Sequence, residues 1–113
     1  MLDTFIFLLY NAFVIMNIYD YSELFSIYKS LLTEKQADVF SLYSECDLSL
    51  GEISEIKNIS RQGVSDTINK TKEILLSYES KLKLLEKKRE LFKILTKIND
   101  EDVLKEISNL LGE

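Results

Sequence analysis

The chain contains no proline and only three glycines among its 113 residues. Proline interrupts helices and glycine weakens them. A sequence this poor in both residues can keep the 3.6-residue spacing of apolar residues that is typical of an α-helix over long stretches. Leucine, isoleucine, lysine and glutamate are abundant, and the length suits one domain with a single core. We therefore predict an all-α protein.

The composition also excludes the usual means of catalysis. The chain has no histidine and only one cysteine, Cys46, so it lacks a histidine base, a Cys/His zinc set and any intramolecular disulfide. Three separated glycines do not make a phosphate-binding loop. We predict a protein of the reducing cytoplasm that is not an enzyme and needs no cofactor or metal.

The formal net charge of -5 is unevenly distributed along the chain. Residues 1–60 hold three lysines against nine acidic residues, whereas residues 81–97 hold seven Lys and Arg against two Glu. A net negative charge argues against nucleic acid as a partner. Because the charges are segregated along the chain, however, the basic segment 81–97 could still bind nucleic acid. The basic segment is either a solvated helix face or a strip that follows phosphates.

The first sixteen residues, MLDTFIFLLYNAFVIM, differ from the rest in being almost entirely apolar. They are fewer than the roughly 20 residues that cross a bilayer, and they lack the basic start and cleavage site of a signal peptide. We interpret them either as a helix packed on the core or as sequence upstream of a start at Met16, and we predict no membrane insertion. The predicted organisation is an apolar arm (1–16), a helix-turn-helix domain (17–79) and a C-terminal helical extension (80–113).

Helix starts can be read from capping motifs. An apolar stripe from Tyr21 predicts a first helix that ends near Thr33, where Thr-Glu-Lys-Gln forms a capping box. The second helix should end near Cys46, and a second capping box at Ser49 opens a short third helix. The expected buried face of the second helix comprises Ala37, Phe40, Leu42 and Tyr43.

The third and fourth helices have the pattern of a helix-turn-helix unit, here without a wing. Asn58 tolerates the left-handed conformation that a tight turn requires, and Ser60 is the N-cap of a long helix. A short helix, a short turn and a second helix with a polar first turn are typical of units that enter the DNA major groove. The expected core of the pair is Ile53, Ile59, Val64 and Ile68.

The exposed residues of the fourth helix are candidates for contact with DNA or RNA. Arginine suits guanine edges or phosphate, and asparagine and glutamine suit adenine. The alternative is that these are ordinary solvated residues on a helix pair that packs a core. The candidates are Ser60, Arg61, Gln62, Ser65, Asp66, Asn69, Lys70 and Lys72.

Three segments resemble the YlxM family of small bacterial helix-turn-helix proteins: SLLTEKQ (30–36), LSLGEIS (48–54) and NISRQGVSD (58–66). Residues 60–64 are also similar to the promoter-reading region four of sigma factors. The resemblance covers about residues 18–97. It implies a cytoplasmic, all-helical regulatory protein, and since the family's genes lie beside those of the signal recognition particle pathway, it implies components of that particle as partners.

This sequence departs from the family pattern at three positions in the unit. Lys57 stands where the family places a large apolar residue, and Gly63 and Thr67 replace bulkier helix formers.

We predict that the fourth helix continues from Ser60 toward Lys97 as one long helix. Its apolar stripe (Leu75, Tyr78, Leu82, Leu85 and Phe92) needs a partner, which could be the arm, the last helix or a second copy. We predict a homodimer. Two functions remain open: a nucleic-acid-binding regulator associated with the signal recognition particle pathway, and a helical adaptor that binds a protein of that pathway without contacting nucleic acid.

Overall fold

A computed structural model of the chain describes residues 21–112. These residues form α-helices and no strand, which confirms the all-α prediction. The predicted apolar arm lies outside the described residues. The helices are α1 (Tyr21–Tyr28), α2 (Glu34–Ser44), α3 (Leu50–Lys57), α4 (Arg61–Leu82), α5 (Leu84–Leu95) and α6 (Glu101–Leu110), and a 3₁₀ turn (Lys29–Leu31) follows α1.

The predicted caps open α2, α3 and α4. The Thr33 hydroxyl accepts the Gln36 N–H at 3.2 Å, and the Gln36 side chain accepts the Thr33 N–H at 3.1 Å. Ser49 and Glu52 form the same reciprocal pair at 3.1 and 3.3 Å. The Ser60 hydroxyl accepts the Gly63 N–H at 2.9 Å. Each motif satisfies backbone donors that the first helical turn leaves free, so these helices begin at the predicted residues.

The core of the helix-turn-helix unit forms where α4 contacts α1, α2 and α3. Of the predicted core, Ile53, Val64 and Ile68 are buried, and Ile59 is half-buried. On α2, Phe40 is buried as predicted, whereas Ala37, Leu42 and Tyr43 are half-buried. Val39, which the stripe did not predict, is fully buried because α2 is covered by both α3 and α4.

The prediction of one continuous helix from Ser60 toward Lys97 is wrong. Lys83 adopts a left-handed conformation (φ 54°, ψ 34°) and ends α4, and α5 begins directly after it. Buried positions on α4 recur every three or four residues up to Glu79, but the next buried residue, Leu85, comes six residues later. Six residues turn a helix by about 600°, so an unbroken helix would place the two buried stripes on different faces.

The chain divides into two compact units between Lys83 and Leu84. The second unit holds α5, which carries four Lys and Arg against two Glu, and α6, which carries three acidic residues against one Lys. The Asp100 side chain accepts two backbone N–H groups at the start of α6. No residue of α6 is buried, and Leu110 is 87% exposed. None of the helices within residues 21–112 has the length and apolar character required to cross a membrane.

Candidate nucleic-acid interface

The turn between α3 and α4 is held by Asn58 and Ser54. Asn58 adopts the predicted left-handed conformation (φ 54°, ψ 46°) and donates its N–H to the Ser54 carbonyl. The same carbonyl accepts the Ile59 N–H at 3.2 Å, while the Ser54 hydroxyl donates to the Ile59 carbonyl at 2.6 Å. Three hydrogen bonds to one serine fix the angle at which α4 leaves the turn.

The start of α4 presents the candidate contact residues as two adjacent ridges. Residues four apart in a helix lie above one another on the same face. Arg61, Ser65 and Asn69 therefore form one ridge, and Gln62, Asp66 and Lys70 form the other. All six are exposed except Ser65, which is half-buried. Together the two ridges span about half the circumference of α4, from Arg61 to Lys70, and Ser60 caps the N-terminal end of the helix.

Arg61 lies against the backbone of α3 at Gly51. A Cβ atom built on Gly51 would be 2.9 Å from Nη2 of Arg61 and 3.2 Å from both Cζ and Nε. The side chain is exposed, and its guanidinium makes no hydrogen bond or ion pair with any residue from 21 to 112. Its N–H groups are therefore available to a ligand.

The exposed face of α4 is nearly balanced in charge. The Gln62 side-chain amide donates to the Asp66 carboxylate at 2.8 Å, and Lys70 lies 4.0 Å from Glu73. Both pairs are exposed, so water screens them and they contribute little to stability. The amide orients Asp66, a carboxylate that can accept a hydrogen bond from a base amino group.

Lys72 differs from the other candidates because it lies among aromatic rings. Its Nζ is 5.1 Å from the centroid of the Tyr21 ring and 5.2 Å from that of Tyr43, and it lies 3.4 Å from the Tyr43 hydroxyl. An ammonium group between two rings is attracted to both. Lys72 therefore joins α1, α2 and α4. It follows Asn69 by three residues on α4, so it continues the face of the first ridge while its ammonium group lies against the rings.

The departures from the family pattern have local structural explanations. Lys57 forms an ion pair with Asp38 at 3.2 Å, which connects α3 to α2. The Thr67 hydroxyl donates to the Gly63 carbonyl at 2.9 Å. A Cβ atom on Gly63 would lie 3.1 Å from the Ser60 hydroxyl oxygen, so glycine leaves room for the N-cap.

Sequence reasoning missed Gly51 and the two tyrosines around Lys72. The tyrosines are distant in sequence from Lys72, and no local pattern connects them. Gly51 carried a usable signal, because glycine inside a helix is unfavourable relative to alanine and its presence suggests that a side chain would not fit.

Comparison with known proteins identifies relatives over most of the chain. The family model UPF0122, described as "Putative helix-turn-helix protein, YlxM / p13 like", matches residues 16–111. A UPF0122 protein of Mycoplasma capricolum is 48% identical over 82 residues, which are 73% of this chain and 73% of that protein. One from Clostridium novyi is 49% identical over 83 residues (70% and 72%), and one from Clostridium acetobutylicum is 44% identical over 90 residues (80% and 70%).

Proposed function

Because the chain belongs to the UPF0122 family of YlxM/p13-like helix-turn-helix proteins, we propose that it is a regulatory protein that binds DNA or RNA through the start of α4. The observation that carries the proposal is the Arg61 guanidinium, which is exposed, free of partners among residues 21–112, and located at the N-terminal end of two polar ridges. An arginine in this position has both the charge for phosphate and the donor geometry for guanine.

Each ridge residue has a role that follows from its chemistry. Arg61 and Lys70 supply positive charge to phosphates, and the amides of Gln62 and Asn69 suit adenine edges. The hydroxyls of Ser60 and Ser65 and the carboxylate of Asp66 complete the surface. Lys72 stays within the proposed contact set as a residue whose first role is to hold the helices together.

The proposed setting is the cytoplasm and the signal recognition particle pathway. The support is the resemblance of three segments to the YlxM family, whose genes lie beside those of that pathway. A pull-down from cells, with and without nuclease treatment, tests this setting. Recovery of particle components only without nuclease would support a nucleic-acid link, and their recovery in both arms would support direct protein contact.

The second candidate function is that of a helical adaptor. The near balance of charge on α4, with Asp66 and Glu73 beside Arg61 and Lys70, favours it because phosphates attract such a face weakly. Salt distinguishes the two functions. Nucleic-acid binding weakens as salt rises, with a log–log slope of about 0.9 for each DNA phosphate contacted, whereas an adaptor's binding depends less on salt.

The direct test replaces Arg61 and Gln62 together with alanine. Neither side chain is in the core, so we expect helix content and melting to stay close to those of the parent. A bidentate arginine contact contributes roughly 1–3 kcal/mol, so binding to pools of genomic DNA fragments and of total small RNA should fall about tenfold or more. Filter binding measures both pools.

The control variant is Val64→Asp, which places a charge at a fully buried position and should unfold the unit whatever its function. Parental binding by the Arg61/Gln62 variant, or a parent that binds neither pool at low salt, would reject nucleic-acid binding and favour the adaptor.

We also propose that the protein forms a homodimer through α6, rather than through the apolar stripe that runs from Leu75 to Phe92. Leu75 and Leu85 of that stripe are buried within their own chain and are not available to a second copy, which leaves Leu82, 44% exposed, without its neighbours in the stripe. Val103 and Leu110 of α6 remain exposed, and the acidic residues of α6 complement the basic residues of α5. A second copy with α6 against the partner's α5 would cover the exposed apolar residues of α6 and bring the opposite charges together. It would also hold two helix-turn-helix units together.

A further inference from the structure

We propose that Gly51 is a positioning residue: the side chain it lacks leaves the space in which the Arg61 guanidinium rests, and this contact holds the arginine ready for nucleic acid. The inference rests on the proposed function, because it assigns Arg61 to the ligand. It adds that a residue of α3, outside both ridges, controls how α4 binds.

The guanidinium of Arg61 lies where a side chain at residue 51 would begin. The Cβ position of Gly51 is 2.9 Å from Nη2 and 3.2 Å from both Cζ and Nε of Arg61. These three atoms form the Nε–Cζ–Nη2 side of the guanidinium, so this side lies close to the position that a Cβ atom of residue 51 would occupy. Carbon atoms in ordinary contact are about 3.5–4.0 Å apart, so a side chain at residue 51 would displace the guanidinium.

The backbone gives no other reason for glycine at this position. Among residues 21–112, Gly112 is the one glycine with positive φ, so Gly51 does not use the conformational freedom peculiar to glycine. Within α3 it weakens the helix relative to alanine. The close contact with Arg61 is the feature that alanine would remove.

The contact orders the arginine without consuming its donors. A guanidinium has five N–H donors, and the Cβ position of Gly51 offers no acceptor, so this contact uses none of them. No residue from 21 to 112 accepts a hydrogen bond from Arg61. A long side chain that is already ordered loses less freedom when it binds, and this raises affinity.

The role also follows from where the two residues lie. Gly51 is the second residue of α3 and Arg61 is the first of α4, so the guanidinium connects the N-terminal ends of both helices of the unit. A shift at Gly51 is therefore transmitted directly to the residue that carries the proposed interface.

A double-mutant cycle tests the inference with Gly51→Ala, Arg61→Ala and the two combined, against the same genomic DNA and small RNA pools. We expect Gly51→Ala to weaken binding by about two- to tenfold, the range expected when one long side chain loses its order. We expect Arg61→Ala to weaken it about tenfold or more, and Gly51→Ala to have no further effect once Arg61 is absent. Melting of Gly51→Ala should be no lower than that of the parent, because the flexible tip of Arg61 can move away.

The order of Arg61 can be measured without any ligand. The chain holds two arginines, Arg61 and Arg89, so a ¹⁵N spectrum contains two Nε signals, and Arg61→Lys identifies the one that belongs to Arg61. We expect the ¹⁵N heteronuclear NOE of Arg61 Nε to indicate an ordered group in the parent and a mobile one in Gly51→Ala. Gly63→Ala is the matched control, because its Cβ meets Ser60 rather than Arg61 and should leave the NOE unchanged.

Three results would overturn the inference: parental binding by Gly51→Ala while Arg61→Ala binds weakly, an equal effect of Gly51→Ala with and without Arg61, or an Arg61 Nε as mobile in the parent as in Gly51→Ala. A parent that binds neither pool would instead reject the proposed function. In that case the NOE comparison still decides whether Gly51 holds Arg61.

Discussion

The Tyr28 hydroxyl donates a 2.6 Å hydrogen bond to the carboxylate of Glu79 across the core of the helix-turn-helix unit. The two residues are 0% and 2% exposed, and 51 positions separate them in sequence. The bond joins the end of α1 to the last turns of α4. The ring of Tyr28 also stacks on that of Tyr78, with centroids 5.8 Å apart. The far end of α4 is thus fixed to α1 by both a polar and an aromatic contact.

The first prediction concerns this bond. Tyr28→Phe keeps the ring but removes the donor from a buried carboxylate, so we expect the free energy of unfolding to fall by about 1.5–3 kcal/mol, the range for hydrogen bonds to charged groups. Urea denaturation monitored by circular dichroism measures the change.

Tyr78→Phe is the matched control for the first prediction. The Tyr78 hydroxyl donates to the Leu31 carbonyl at 3.2 Å in an exposed position, where water can replace the bond. Its loss should change stability less than that of the Tyr28 hydroxyl. Equal stability of the parent and Tyr28→Phe would show that the buried bond contributes nothing.

The parts of the fold that sequence predicted well depend on neighbours in the chain. A capping box involves residues three apart, so Thr33 and Ser49 marked the starts of α2 and α3 without any knowledge of the fold. Asn58 marked the turn for the same reason, since its side chain makes the left-handed conformation acceptable.

The parts that sequence missed depend on distant contacts. Nothing next to Lys83 signals a helix end, because lysine is a good helix former and neither glycine nor proline follows it. The break coincides with a gap of six residues between the buried residues Glu79 and Leu85. Likewise, the pairing of Tyr28 with Glu79, and of Arg61 with Gly51, exists only once the helices have packed.

The second prediction separates the two lysines of α4. Lys72→Gln removes the ammonium group between two tyrosine rings, so the free energy of unfolding should fall by about 1–2 kcal/mol. Lys70→Gln should leave stability nearly unchanged, because its pairing with Glu73 is exposed and 4.0 Å long. Thermal melting of the two variants and the parent measures this difference in stability.

Binding in a salt series provides the second measurement for these lysines. Lys70→Gln should lower the log–log salt slope for DNA by about 0.9 if Lys70 contacts one phosphate. If Lys72→Gln instead lowers the slope and leaves melting unchanged, the lysine acts at the interface and not in the fold.

The third prediction concerns the turn of the helix-turn-helix unit. Asn58→Gly should be close to neutral, since glycine adopts φ 54° without strain, whereas Asn58→Val should lower the free energy of unfolding by about 1–2 kcal/mol. Urea denaturation measures both variants. A valine variant as stable as the parent would mean that the turn adopts another conformation in solution.

The last prediction concerns assembly. Leu110 of α6 is 87% exposed, so Leu110→Glu should keep the parent's helix content while placing a charge on the surface that we propose a second copy covers. We expect light scattering to give the mass of two chains for the parent and of one chain for this variant. Ile56→Glu is the control, because Ile56 is 59% exposed on α3, which belongs to the other compact unit, and its replacement should leave the parent's mass unchanged. A parent with the mass of one chain, or a Leu110→Glu variant that remains paired, would rule out α6 as the dimer surface.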